Sequence, residues 1–224
     1  MQDSRAHWLS IRKRLDEFDV RLGRATAQGY VHDPRMICFI ASRYKFVSKM
    51  LADVDVALEV GCGDAFGGPL VAQTVKRLIC TDIDPETIDA NRERCRYFKN
   101  MEFAYHDFRS APFPEQVQAI YLVDVIEHIF VSEEPDFMRN LVETMRSDGF
   151  ILIGTPNDTA QQYASLHSRE GHVNTKSHVA LRQLGGSYFR NVFLFSMNDE
   201  VVHTGFGPMA HYLWMLGVGP RKTA

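Results

Sequence analysis

Between residues 56 and 154 the chain alternates short apolar runs with longer polar ones, and no other feature restricts its fold as much. The runs are VALEV (56–60), RLIC (77–80), MEFAY (101–105), AIYLV (119–123) and FILIG (150–154). Helix-like stretches lie between most of them, notably 85–97 and 134–146. Strands this short, apolar throughout and joined through helices predict a mostly parallel sheet with helices on both faces. Two later runs, NVFLFS (191–196) and HYLWMLGV (211–218), bring the expected sheet to seven strands. A chain of 224 residues has ample length for one such α/β domain.

Upstream, Trp8, Ile11, Leu15, Phe18 and Leu22 recur every three or four residues and predict an amphipathic helix over 4–23. QGYVHDP (28–34) is expected to break it, and Pro34 suits the start of a second helix running to Leu51. The expected division is a helical cap (1–52), a ligand-binding core (53–157) and substrate-side loops with the final strands (158–224). In the last part, a polar stretch over 156–180 leads to a short helix near 178–184. A connection that long tends to be functional.

Charge excludes one class of partner. With 25 basic and 28 acidic residues, net −3, there is no electrostatic footprint for nucleic acid. The densest basic cluster, IRKRLDEF (11–18), reads as a solvated helix face. Cys38, Cys62, Cys80 and Cys95 show no CxxC spacing and are expected to stay reduced. No run is long enough to span a membrane and the N-terminus lacks a signal-peptide core, so a cytoplasmic location is expected.

The first strand of the alternating set ends in EVGCGD, with Gly61 and Gly63 at its carboxyl end. In open α/β sheets that edge binds ligands, and glycine lets the backbone come close to one. A GxG by itself fits an ordinary turn equally well. Asp82 ends the second strand about 20 residues later, where an acid can hold ribose hydroxyls. Asp107 follows the third strand at the same edge. A further acid there opposes a pyrophosphate but suits a ligand with amine donors and a cationic centre. That favours S-adenosylmethionine over NAD.

LEVGCGD, TDIDPETIDAN, FAYHDF, LVDVIEHI and DGFILIGTPN resemble, in order, the motifs of class I S-adenosylmethionine-dependent methyltransferases. The resemblance is nearest to small-molecule O-methyltransferases related to the ubiquinone-biosynthesis type. GHVNTKSHVALRQL and the stretch that follows it are similar to members encoded among polysaccharide-biosynthesis genes. The resemblance implies a Rossmann-like fold with an antiparallel last strand and S-adenosyl-L-methionine as cofactor. It assigns Glu59, Gly61, Cys62 and Gly63 to the methionine end, and Asp82 and Ile83 to ribose and adenine. It also assigns Asp107 and Phe108 to the adenine, and Asp124 to the amino group near the substrate. Ala65 stands where many relatives carry glycine, which alanine tolerates if φ is negative there.

Methyl transfer to a hydroxyl requires alignment and removal of a proton. A helix beginning near Asp124 would set Asp124, Glu127 and His128 on one face, with His128 as general base. No metal is assigned. The same triplet, completed by a distant histidine, is nonetheless where a divalent ion would sit, as in related enzymes with an ExxEH group. His172 and His203 are further candidates for the substrate side, whereas His7, His32 and His167 read as surface histidines. Tyr30, Tyr163 and Phe206 fit either a pocket wall or ordinary packing. The expected reaction is O-methylation of a small polar metabolite such as a sugar or glycan precursor, with a homodimer as a compatible state. A quinol or phenol, or a nitrogen acceptor, is the alternative within the class. A non-catalytic methyltransferase-like binding protein and a dinucleotide oxidoreductase are alternatives outside it.

Overall fold

The computed structural model describes residues 3–15 and 18–222, except for the side chain of His167. In chain order the elements are α1 (Ser4–Arg12), α2 (Arg24–His32), α3 (Met36–Met50), β1 (Val56–Val60), α4 (Gly68–Ala72), β2 (Arg77–Asp82), α5 (Pro85–Arg94) and β3 (Met101–Tyr105). They continue with β4 (Val117–Val123), α6 (Glu134–Thr144), β5 (Met145–Pro156), α7 (Leu166–Gly171), α8 (His178–Tyr188), β6 (Phe189–Asn198), β7 (Val201–His203) and β8 (Tyr212–Pro220).

The sheet order is β3-β2-β1-β4-β5-β8-β6-β7. The first five strands in that order are parallel, and β8 runs antiparallel between β5 and β6. Alternation along each strand sorts side chains between two cores. Ala57, Ala119, Tyr121 and Trp214 pack with Tyr44 and Val47 of α3 and with Leu51 that follows it. Leu58, Ile120, Leu122 and Leu213 pack on the other face with Phe137, Met138 and Leu141 of α6. The order reverses at β1, between β2 and β4, and both the Gly61–Gly63 turn and Asp124 lie at its carboxyl edge.

Several expectations are corrected. The described sheet has eight strands rather than seven, because the segment after β6 turns at Asp199 (φ +49) and pairs back as β7. The N-terminal helix stops at Arg12, with a 3₁₀ turn over Lys13–Leu15, and residues 16–17 of the expected helix lie outside the described residues. Among the described residues α1 buries none, so periodicity alone does not extend it. The expected break at 28–34 is helical as far as His32. Gly29 is carried inside α2, whose N-terminus is capped from a distance when Thr26 N–H donates to Asp64 (2.7 Å). Ala65 has φ +51, against the negative value expected, and is buried in the turn. Finally, Asp124 starts no helix. It has φ +57, its N–H donates to Gly154 O, and only a 3₁₀ turn over Ile126–His128 follows.

Candidate active site

Three strand ends and the glycine turn enclose a cleft of about 260 Å³. Its lining includes Gly61, Gly63, Asp82, Ile83, Asp107, Phe108, Asp124 and His128. The turn is held from below: Cys62 N–H donates to Thr81 O (2.9 Å) and Asn91 Nδ2 donates to Gly63 O (2.6 Å). Gly61 (φ +67) lies against Val125, whereas a Cβ on Gly63 (φ +48) would meet nothing within 4 Å. Asp82 braces the same turn, accepting from the N–H groups of Gly63 (2.9 Å) and Asp84 (3.0 Å). Beside it the Ile83 side chain is exposed, an apolar surface facing the cleft. Asp107 is gripped by Arg109, which donates from Nε (2.9 Å) and Nη2 (2.8 Å) and holds the carboxyl below its usual range. Arg109 carries no signal in the sequence beyond its spacing of two from Asp107.

Two of the expected cleft residues do not line it. Glu59 shares the sheet face of Ala57 and is buried beneath the turn, accepting from Tyr44 Oη (2.7 Å) and Cys80 Sγ (3.5 Å). Cys62 is likewise buried under the loop. Burial pushes the Glu59 carboxyl from 4.5 up to about 7. Between those two values the folded protein holds a proton that the unfolded chain has lost, so stability falls as pH rises through that window. The loss amounts to about 3 kcal/mol by pH 8. Glu59→Gln, which mimics the protonated carboxyl, is expected to flatten this slope, read as melting temperature against pH. Parallel curves for the two proteins would refute the assignment.

On the other side of the cleft the 3₁₀ turn after β4 meets the loop that follows α7. The carbonyl of Glu127 accepts from Val173 N (2.9 Å) and Asn174 N (3.0 Å), and His128 Nδ1 lies 2.8 Å from Gly171 O. A carbonyl only accepts, so Nδ1 carries the proton and Nε2 is left as the acceptor of that ring. The same loop carries His172 to His128, with ring centroids 5.2 Å apart. One ligand atom each from Glu127, His128 and His172 lie within 4.8 Å of one another. Glu127 is fully buried, with Oε2 accepting from Thr155 (3.0 Å) and Oε1 unpartnered among the described residues. Burial first, and then Asp124, raises its carboxyl; burial and the nearby His128 lower the His172 imidazole. A buried lysine steadies the loop: Lys176 Nζ lies 2.5 Å from Glu134 and 2.6 Å from Asn174 Oδ1.

Asp124, expected on one face with Glu127 and His128, turns instead to Arg43 of α3, whose Nη1 donates to its Oδ2 (2.5 Å). The cluster that forms therefore substitutes His172 for Asp124. His203 is not brought in, because its ring is engaged locally by Asn198 Oδ1 (3.0 Å) and Gly205 N (2.9 Å) in the β6–β7 hairpin. Tyr163, Phe206 and Tyr30 are exposed, and among the described residues only Tyr163 meets a ring near this edge, that of His211.

Residues 57–149 match the family model described as a methyltransferase domain. The chain is 29% identical over 115 residues to a probable S-adenosylmethionine-dependent methyltransferase of Mycolicibacterium smegmatis, covering 51% of this chain and 42% of that protein. It is 26% identical over 113 residues to nodulation protein S of Bradyrhizobium diazoefficiens, covering 50% and 54%. The chain thus spans about half the length, or less, of these curated relatives. N-methyltransferase NodS from Bradyrhizobium japonicum, solved with S-adenosyl-l-homocysteine, superposes with TM-score 0.62 at 16% identity, covering 81% of this chain and 86% of that one. The methyltransferase domain of bacterial CtHen1-C gives TM-score 0.67 at 15% identity, covering 80% and 98%. At those identities the likeness to both structures is one of fold.

Proposed function

Taking the chain as a class I S-adenosylmethionine-dependent methyltransferase, we propose that it methylates a hydroxyl of a small polar molecule, a sugar or glycan precursor being the expected kind. The observation that carries this reading is the Glu127, His128, His172 cluster, with His128 on the wall of the cleft. The cleft fits the cofactor in its chemistry. Glycines form one wall, exposed Ile83 offers a surface for the adenine, and Asp82 has lone pairs left for ribose hydroxyls. Asp107 is proposed to meet the adenine amine together with Arg109, and Phe108 to pack beside it. Glu59 and Cys62 support the turn from beneath.

Bound there, the cofactor would supply an electrophilic methyl group, with a neutral thioether as the leaving group. His128 Nε2 would take the hydroxyl proton of the acceptor as its oxygen is methylated. His172 and Glu127 lie where they can orient the ring and the acceptor. A second reading is favoured by the compactness of the same cluster: Glu127, His128 and His172 have the donor set of a divalent metal site, and an ion held there would polarise the hydroxyl.

The cofactor assignment is tested at Asp82. Asp82→Ala is expected to weaken S-adenosylmethionine binding by about 1–3 kcal/mol, through loss of charge-assisted hydrogen bonds. Titration calorimetry reads this directly, and unchanged affinity would remove Asp82 from the ribose site. The acceptor is tested by a transfer assay over sugars, nucleotide sugars, phenols and amines. Turnover confined to amines would overturn the hydroxyl reading.

A further inference from the structure

Lysine is among the residues least often buried, yet Lys176 is buried beside the loop that carries His172. Burial alternates along 173–176: Val173 is exposed, whereas Asn174 and Lys176 are both buried. The two buried residues meet Glu134 in the first turn of α6, and their polar atoms close a ring. Lys176 Nζ donates to Asn174 Oδ1 (2.6 Å) and pairs with Glu134 Oε2 (2.5 Å). Asn174 Nδ2 donates to the same Glu134 oxygen (2.7 Å). The backbone extends these ties. The N–H groups of Val173 and Asn174 donate to Glu127 O, and Lys176 O accepts from Asp158 N (3.0 Å). Asn174 thus holds α6 through its side chain and the 3₁₀ turn of Glu127 and His128 through its N–H. His172 stands two residues before it, with its ring against that of His128 and its Nδ1 beside the Gln161 amide.

Taking an ammonium and a carboxylate out of water opposes the gain from pairing them. A buried ion pair therefore adds little net stability compared with apolar side chains of similar size. What it adds is direction, because the three groups satisfy one another in a single arrangement. We propose that Lys176, Glu134 and Asn174 form a latch that positions His172 against His128, so that α6 sets the geometry of the histidine pair. Released from Lys176 and Glu134, Asn174 loses the side-chain anchor that keeps its N–H on Glu127, and His172 moves with it. The three are positioning residues, acting through the loop. The assignment rests on the role given to His128 and His172 above and extends it to residues which that role does not include.

The test uses the full chain and hydrogen exchange of individual amides, which needs no acceptor. Lys176→Met leaves Glu134 charged, buried and without its cation. The neutral pair Lys176→Met with Glu134→Gln is therefore made beside it, so that Asn174 Nδ2 keeps an acceptor. This pair is expected to melt close to wild type. The amides of Val173 and Asn174 are expected to exchange at least about 10-fold faster in it, while those of β4 and β5 keep their rates. Turnover is measured on the sugar or nucleotide sugar that wild type methylates best. It is expected to fall about 10-fold or more, with S-adenosylhomocysteine affinity within about threefold of wild type. In a His172→Ala background the same pair should change turnover by less than about twofold, because its effect passes through the missing ring. Wild-type exchange rates at Val173 and Asn174 overturn the latch. So does an equal fall in turnover with and without His172, which is the result of a general loss of structure. Faster exchange with turnover unaffected by either the neutral pair or His172→Ala keeps the latch and overturns the role given to His172 in the reaction.

Discussion

Replacing His128 with alanine is expected to lower turnover by about 10²–10⁴, with little change in cofactor affinity. The expectation follows from the hydrogen bond between His128 Nδ1 and Gly171 O, which commits one ring nitrogen as donor and leaves the other to take a proton at the cleft wall. Steady-state kinetics together with titration calorimetry separate this from a binding defect. A chelator then divides the two readings of the cluster. If His128 acts alone as base, EDTA leaves activity unchanged and His172→Ala is milder than His128→Ala. If an ion is held there, EDTA abolishes turnover and a divalent metal restores it. Glu127→Ala and His172→Ala should then be as damaging as His128→Ala, because each removes a ligand. A chelator-resistant enzyme whose His128→Ala variant keeps full turnover would sink both, leaving alignment of donor and acceptor as the source of rate.

Gly61→Ala is expected to remove measurable cofactor binding, while Gly63→Ala, two residues on, should cost far less. Both glycines have positive φ, at +67 and +48, so both substitutions carry left-handed strain of about 1–2 kcal/mol. Strain alone does not decide the outcome, because Ala65 and Asp124 tolerate similar angles in this protein. What differs is space. A Cβ on Gly61 would stand 2.6 Å from Val125 Cγ2, whereas the one on Gly63 points into open cleft. Relief of that contact would push Val125, and with it the backbone next to Asp124, out of place. Calorimetry with S-adenosylhomocysteine and melting curves for both variants give the comparison. Equal losses in the two would mean that the turn is sensitive to any side chain, and that the contact with Val125 is not the cause.

The parallel core and its carboxyl edge were legible because they depend on local pattern. Strands such as AIYLV announce themselves by a short apolar run, and Gly61, Gly63, Asp82, Asp107 and Asp124 each stand within three residues of the end of such a run. The pairing of His128 with His172 was only half legible: both were singled out, but nothing in the spacing told His172, which joins the cluster, from His203, which does not. The loop contacts of Glu127 with Val173 and Asn174 decided that. The N-terminal stripe shows the opposite failure, since Trp8 and Leu15 keep helical spacing and are still exposed.

By itself, the sequence determined the parallel part of the sheet and the acids at its carboxyl edge. Hydrophobic period and glycine position are properties of neighbouring residues. Only the tertiary structure decided what those acids are paired with. Arg43 lies 81 positions from Asp124, and Asp64 caps a helix 38 positions upstream. The energy of such contacts depends on distance through space and on burial, neither of which a linear pattern records. For the same reason Glu59, adjacent to the glycine turn in sequence, ends beneath the cleft. Strand alternation sent it to the face of α3, where Tyr44 met it.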